Sequence, residues 1–272
     1  MDPALQRRVQ RYGWDKAAAY YENFWQQQLK PAQEKLMELA DLQPGNLVND
    51  IACGTGLVSF PAAERVGPNG QVLATDISDA MVTIGNETAA AKQYRNVRFD
   101  RMDAEALEVP DHSFDVSLCA LGLMYVPDPL KALTEMFRVT RVGGRSVAAV
   151  WGRRNHCGWA DIFEIVDRRV SSEVCPLFFQ LGNEGMLMRH FEMAGFSEVK
   201  ESRINTSLVY ATPEDAYGAA FAGGPVALAY NRFSEQVKLE VHQEYLDSIS
   251  QFKSGNGYVV SGEFVIATGL RR

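Results

Sequence analysis

The residues best placed to do chemistry are Asp50, Gly54 and Gly56 in the run Asp50-Ile-Ala-Cys-Gly-Thr-Gly56, and Asp76, twenty residues beyond Gly56. The run follows the apolar stretch 47–52 and precedes 57–66, so it closes a strand and opens a helix. Glycines at such a junction let the backbone approach a ligand and present amide groups at a helix start. Asp76 ends the next apolar stretch, 72–76, where a carboxylate can accept from both hydroxyls of a ribose. Gly-x-Gly alone is common. With a strand before it, a helix after it and an acid at the next strand end, it points to a nucleoside ligand.

These residues need a frame that brings two strand ends together. Strand runs at 47–52, 72–76, 97–101, 114–120 and 145–151 alternate with helical runs at 57–66, 79–92 and 129–140. Asp128 and Pro129 suit the N-cap and first position of the last of these helices. The alternation predicts an α/β fold, a Rossmann-like, doubly wound, mainly parallel sheet covered by helices on both faces. In such sheets ligands sit at the carboxyl ends of the strands. Residues 4–40 read as helical, with Pro31 opening a second helix. After residue 151 the pattern changes: 184–194 is a helix, 198–205 and 258–268 complete a sheet of seven strands, and 212–252 is mainly helical. The chain thus reads as a single domain, 1–272. Its parts are an N-terminal helical lid (1–40), a cofactor-binding core (45–151), an acceptor region with a helical cap inserted before the last strand (152–256), and that strand (257–272).

A dinucleotide site places a third glycine three residues after Gly56, where Ser59 stands. Asp50 is awkward beside a pyrophosphate and suits a cationic amino-acid end, met directly or through water. S-adenosylmethionine offers an ammonium, a carboxylate and a sulfonium, with no phosphate. Residues 48–56 and 72–76, Arg101-Met-Asp-Ala-Glu105 and Phe114-Asp-Val resemble the successive motifs of class I S-adenosylmethionine-dependent methyltransferases. Gly122-Leu-Met-Tyr-Val-Pro-Asp128, Glu135-Met-Phe-Arg-Val139 and Gly143-Gly-Arg145 continue the match. The chain is similar to the branch of ubiquinone/menaquinone-biosynthesis (UbiE-like) methyltransferases over roughly residues 35–151. The resemblance implies that Gly54 and Gly56 pack under the cofactor's methionine and ribose, that Asp76 takes the ribose hydroxyls, and that Ile77 covers the adenine. It implies that Asp103 accepts from the adenine amino group beside the Ala104 amide, and that Met81 belongs to the same set. It also implies that Cys119 lines the methionine end through its backbone, and that Tyr20 closes over the cofactor. Ala52 departs from the glycine many members carry.

Methyl transfer from a sulfonium is a one-step displacement that needs alignment and a dry site more than catalytic side chains. The acceptor region should include Trp151-Gly-Arg-Arg-Asn-His156-Cys-Gly-Trp159, Phe163 and Phe178-Phe179. Its aromatic density suits a small, partly apolar, ring-containing acceptor methylated on oxygen, nitrogen or carbon. His156 and Tyr125 are the candidates to orient that acceptor or take its proton; Trp159, Phe163 and Val166 are also spaced like a core-facing helix stripe. A nicotinamide oxidoreductase and a non-catalytic protein that binds S-adenosylmethionine are the alternative readings.

Composition narrows the class. Of 272 residues, Lys and Arg number 27 against 34 Asp and Glu, a net charge of −7, which disfavours nucleic acid as a partner. Cys53, Cys119, Cys157 and Cys175 lack C-x-x-C spacing, so neither a zinc site nor a disulfide framework is expected. With no apolar leader and no spanning run, the expected location is cytoplasmic, without a metal and without a membrane span.

Overall fold

The computed structural model describes residues 2–170, 175 and 177–272. Parallel strands β1 (Leu47–Ile51), β2 (Gln71–Asp76), β3 (Val97–Arg101), β4 (Phe114–Ala120) and β5 (Thr140–Trp151) form most of the sheet. The long β6 (Ser197–Tyr210) and β8 (Gly257–Leu270) complete it as an antiparallel pair, in the order β3-β2-β1-β4-β5-β8-β6. The two-residue β7 (Lys253–Ser254) pairs with β8 and makes eight strands, one more than the sequence pattern gave. It is too short to carry a hydrophobic period. Strand order reverses between β1 and β4, so a crevice opens at their carboxyl ends.

Burial explains the centre. β1 is buried from Val48 onward and β4 over all but its last residue, as parallel strands covered on both faces require. Helix α1 (Pro3–Ala40) packs across β4, β5, β6 and β8. It is one helix; Pro31 lies inside it instead of opening a second. The carbonyl that Pro31 leaves without a donor belongs to exposed Gln27, where solvent can pair it, while Leu29, Ala32 and Leu36 stay buried in the core. The side chain of Gln28 accepts from Val209 N at 3.0 Å and donates to its carbonyl at 2.6 Å, covering part of edge strand β6.

Helices α2 (Ser59–Val66), α3 (Asp79–Ala91) and α4 (Pro129–Val139) follow β1, β2 and β4. The expected caps form: Asp128 accepts from Lys131 N, and Gly195, at φ 105, follows α6 (Met186–Met193). α5 (Ile162–Asp167) lies between β5 and α6. The cap between β6 and β8 holds α7 (Pro213–Tyr217), a π turn at Gly218–Ala222, α8 (Ala227–Tyr230) and α9 (Glu235–Ser248). Thr212 and Asp215 make a reciprocal capping box, and Val241, Tyr245 and Ile249 supply the buried stripe. Among the described residues no helix is long and apolar enough to cross a membrane.

Candidate active site

At the crevice floor two non-glycine residues take left-handed backbone: Ala52 (φ 55) after β1 and Leu121 (φ 64) after β4. Each such residue costs about 1–2 kcal/mol, a strain typical of ligand sites. The turns pack so closely that a Cβ on Gly122 would lie 2.4 Å from that of Ala52 and 3.0 Å from Cys119 Sγ. Gly54 (φ 58) and Gly56 (φ 103) complete the β1 turn, where a side chain on Gly56 would strike Phe60 and Phe99.

Two buried acids meet under this turn. Asp76 accepts from Gly54 N through Oδ2 and from Ser78 N through Oδ1, both at 2.9 Å, and its carboxylate borders the cavity. Asp50 accepts from Ser59 Oγ at 2.6 Å, and its buried Oδ1 has no partner. Burial raises both carboxyls above their ordinary range. That of Asp50 is pushed up to about 7, with the Ser59 hydrogen bond opposing and Asp76 adding to the effect. Among the described residues neither acid has a cationic partner. Such a pair calls for a ligand rich in donors and positive charge and rejects a pyrophosphate. Ribose hydroxyls and an α-ammonium fit it.

Helix α1 forms the roof. Trp14, Tyr21, Trp25 and Leu29 line the cavity with Arg7 and Gln10. Arg7 forms ion pairs with Asp103 (2.9 Å) and with Glu105, while Arg11 and Arg101 pair with Asp79. Asp15 accepts from Ser78 Oγ at 2.6 Å and Ala80 N at 3.1 Å, seating the roof on the start of α3. Tyr20 is half exposed on the outer face and lines nothing; one residue on, about 100° around the helix, Tyr21 stands over Gly54. Tyr21, and not Tyr20, borders the cavity. Ile77, Met81, Asp103 and Ala104 line the same end. Cys119 is fully buried with its thiol pushed up by burial to about 12; Ala120, Leu121 and Gly122 line the cavity after it.

From this end one cavity, open to solvent at its mouth, continues into an aromatic chamber. Trp151 at the end of β5 packs on Trp25 and Trp159, and Phe178 packs on Tyr125, Trp159 and Phe163. Phe163 and Val166 are core residues behind the wall, as a helix stripe predicts, whereas Trp159 lines the cavity. Tyr125 borders both ends, and burial pushes its phenol well above the usual range. His156 does not line the chamber: its Nδ1 lies 3.0 Å from Glu263, and the ring is partly exposed beside Arg153. The sequence reading missed Arg7, Gln10 and Trp14, because charged and amide residues interrupt the apolar stripe of α1. Their signal was the spacing 7, 10, 14, 21, 25, one helix face. It also missed Tyr210, Ala220 and Pro225, which reach the wall only through tertiary packing.

The sheet order, the glycine turn and the paired acids define a Rossmann-like methyltransferase core. The family model of the ubiE/COQ5 methyltransferase family matches residues 24–171, and the chain belongs to that family. It is a methyltransferase that depends on S-adenosylmethionine, which sets aside the oxidoreductase reading. A demethylmenaquinone methyltransferase of Listeria monocytogenes serotype 4a (strain HCC23) is 32% identical over 182 residues, covering 62% of this chain and 77% of that protein. A ubiquinone/menaquinone biosynthesis C-methyltransferase of Ectopseudomonas mendocina (strain ymp) is 44% identical over 110 residues, 40% of this chain and 43% of that one. In fold, the phosphoethanolamine N-methyltransferase 2 of Haemonchus contortus covers 95% of this chain and 57% of its own, with a TM-score of 0.63 at 16% identity.

Proposed function

We propose that this enzyme transfers the methyl group of S-adenosylmethionine to a small, largely apolar, ring-containing acceptor of the quinone type that its relatives' names specify. The observation that carries this reading is the continuity of one cavity from Asp76 to an aromatic chamber. When bound, the cofactor supplies a methyl group already activated by a sulfonium. Asp76 would hold the ribose hydroxyls, Ile77 and Met81 would flank the adenine, and Asp103 with the Ala104 amide would meet its edge. Asp50 would favour the ammonium end beneath Gly54 and Gly56, and the backbone after Cys119 would border the methionine.

The chain's own task is then alignment and drying. Residues 1–40 act as lid and 152–256 as the acceptor region, whose aromatic rings exclude water from a charge-dispersing displacement. Among the described residues every lining residue from Trp151 onward is uncharged, so these offer no cation to a phosphorylated acceptor such as the Haemonchus contortus enzyme's name specifies. Among the described residues no carboxylate or imidazole lines that part either. Tyr125, held protonated by burial, orients the acceptor as a donor and does not serve as base. His156, fixed by Glu263, takes no proton from the acceptor. The acceptor therefore brings its own nucleophilicity, as an ionised quinol does.

The direct test is to supply S-adenosylmethionine carrying a deuterated methyl group, with dithionite-reduced 1,4-naphthoquinone or a set of aryl amines, and to follow the products by mass. Labelled methyl in the quinol is expected. Label in the amines alone would refute the ring class.

A further inference from the structure

The chamber wall carries two hydroxyl groups. Tyr210, the last residue of β6, and Tyr245, in the buried stripe of α9, both line the cavity and are only 4% and 1% exposed. Among the described residues neither phenol oxygen has a hydrogen-bond partner, and neither is sealed off as Nε1 of Trp25 and of Trp159 are. With the rings almost wholly buried in the wall, the two oxygens open on the cavity. Burial pushes both phenols above the usual range, and Tyr210 adds to the effect on Tyr245. Each is therefore a neutral group able both to donate and to accept. A ligand that covers them must bring a polar atom or leave two buried hydroxyls unpaired, at about 1–3 kcal/mol each. Their place along the roof gives that atom its position. Tyr21 stands over Gly54 at the cofactor end, and Gln28 follows about 10 Å further along the helix. Gln28 bonds both backbone groups of Val209, so Tyr210 stands on the side of the chamber remote from Gly54. Tyr245 is held edge-on to Phe221, with centroids 5.8 Å apart.

We propose that the hydroxyl groups of Tyr210 and Tyr245 determine acceptor specificity by hydrogen-bonding to an oxygen at the end of the ring system remote from the methylated atom. The acceptor class is then a fused-ring compound with an oxygen at each end. This deepens the function proposed above and rests on it. The flat aromatic faces of the chamber select for ring shape, and the two hydroxyls select for a polar group at the far edge. A compound that ends there in a methyl group fills the same space and leaves both hydroxyls unpaired. That penalty is the usual source of strong selection by a buried polar group. Both residues lie beyond the stretch 24–171 that the family model matches, so the selection belongs to a part of the chain that the model does not cover.

The test compares 2,6-dihydroxynaphthalene with 6-methyl-2-naphthol, in which a methyl group of similar size replaces one hydroxyl. Binding of each is measured by calorimetry at neutral pH in the presence of saturating S-adenosylhomocysteine. Wild type is expected to prefer the diol about tenfold or more. Tyr210→Phe and Tyr245→Phe keep the rings, and each should narrow that preference about threefold or more by weakening the diol. The double variant should bind the two probes within about threefold of each other. Affinity for the naphthol should hold or rise, because phenylalanine leaves no hydroxyl unpaired, and affinity for S-adenosylhomocysteine should stay within about twofold of wild type. Tyr258→Phe removes a buried phenol that pairs with Tyr210 across β6 and β8 but does not line the cavity, and it should change neither probe. An equal loss of both probes in the Tyr210 and Tyr245 variants would show packing alone and overturn the proposal. So would a wild type that takes both probes equally, or a diol preference that survives in the double variant. Failure of both probes to bind beside S-adenosylhomocysteine would instead remove the ring-acceptor function on which the proposal rests, and failure of S-adenosylhomocysteine itself would remove the cofactor assignment.

Discussion

Asp50→Asn removes a carboxyl that burial pushes up to about 7 from 3.8. Its ionised form in the cofactor-free protein is thus disfavoured by about 4 kcal/mol. Because the folded value lies above the unfolded one, the folded state holds the extra proton. Stability therefore falls as pH rises from about 4 to about 7 and levels off above. Asp50→Asn, free of this slope, should gain on wild type by up to about 4 kcal/mol across that range in urea unfolding. A bound ammonium reverses the preference by favouring the carboxylate. Affinity of wild type for S-adenosylhomocysteine should therefore rise about 25-fold between about pH 5.5 and 7.5, and flatten above. Asp50→Asn should show no such rise and should bind more weakly than wild type near pH 8. Calorimetry across this range reads both profiles. Parallel profiles for the two proteins would show that Asp50 does not meet the ammonium. A flat wild-type profile together with a flat stability curve would show that Asp50 does not titrate near neutrality at all.

Asp76→Ala should raise the dissociation constant for S-adenosylhomocysteine at least tenfold and more than Asp103→Ala, since Asp103 already shares its carboxylate with Arg7; equal constants for wild type and Asp76→Ala would reject the ribose assignment. Gly122→Ala should cost about 1–3 kcal/mol in urea unfolding because of its clash with the Ala52 Cβ, and adding Ala52→Gly should restore most of it; additive effects would deny the contact. His156→Ala should leave kcat within about threefold in the quinol assay, whereas Tyr125→Phe should lower it about tenfold or more with little change in cofactor affinity; the reverse order would return His156 to the mechanism. Activity should survive a chelator, since among the described residues no cluster of three His, Cys, Asp or Glu could hold a metal; loss restored by one divalent ion would refute this.

Most of the cofactor half could be read from the sequence because its signals are local. A strand end, a glycine turn and an acid at the next strand end lie within thirty residues, and each side chain's direction follows from the element that carries it. Ile77, Met81, Asp103 and Ala104 reach the cavity for that reason. The errors lie where direction depends on rotation about a long helix or on tertiary packing. Tyr20 and Tyr21 differ by a single residue, and only when Arg7, Gln10 and Trp14 are counted on the inner face does the spacing select Tyr21. Pro31 reads as a boundary, yet burial of the residues around it keeps the helix whole. His156 sits in the expected loop, but Glu263, more than a hundred residues away, holds it aside. Tyr245 looks like a core residue by spacing and turns out to border a cavity, a distinction that only the surrounding elements make. Part of the segment 151–179 assigned to the cap, residues 171–174 and 176, lies outside the described residues.

Phe24 of α1 sits where side chains on Gly218 or Gly223 would strike it, so the π turn closes around that ring. The same helix carries Arg7 at one end of the cavity and Leu29 at the other, about 33 Å apart along its axis. A stiff rod clamped near its middle behaves as a lever with Phe24 as fulcrum. Were the rod to pivot there, raising the Arg7 end to admit the cofactor would tilt the chamber end as well, and the two ligands would share one gate. Hydrogen exchange should then show residues 4–30 opening as one unit, slowed by S-adenosylhomocysteine along their whole length. Protection confined to the Arg7 end would mean that the helix bends instead of pivoting.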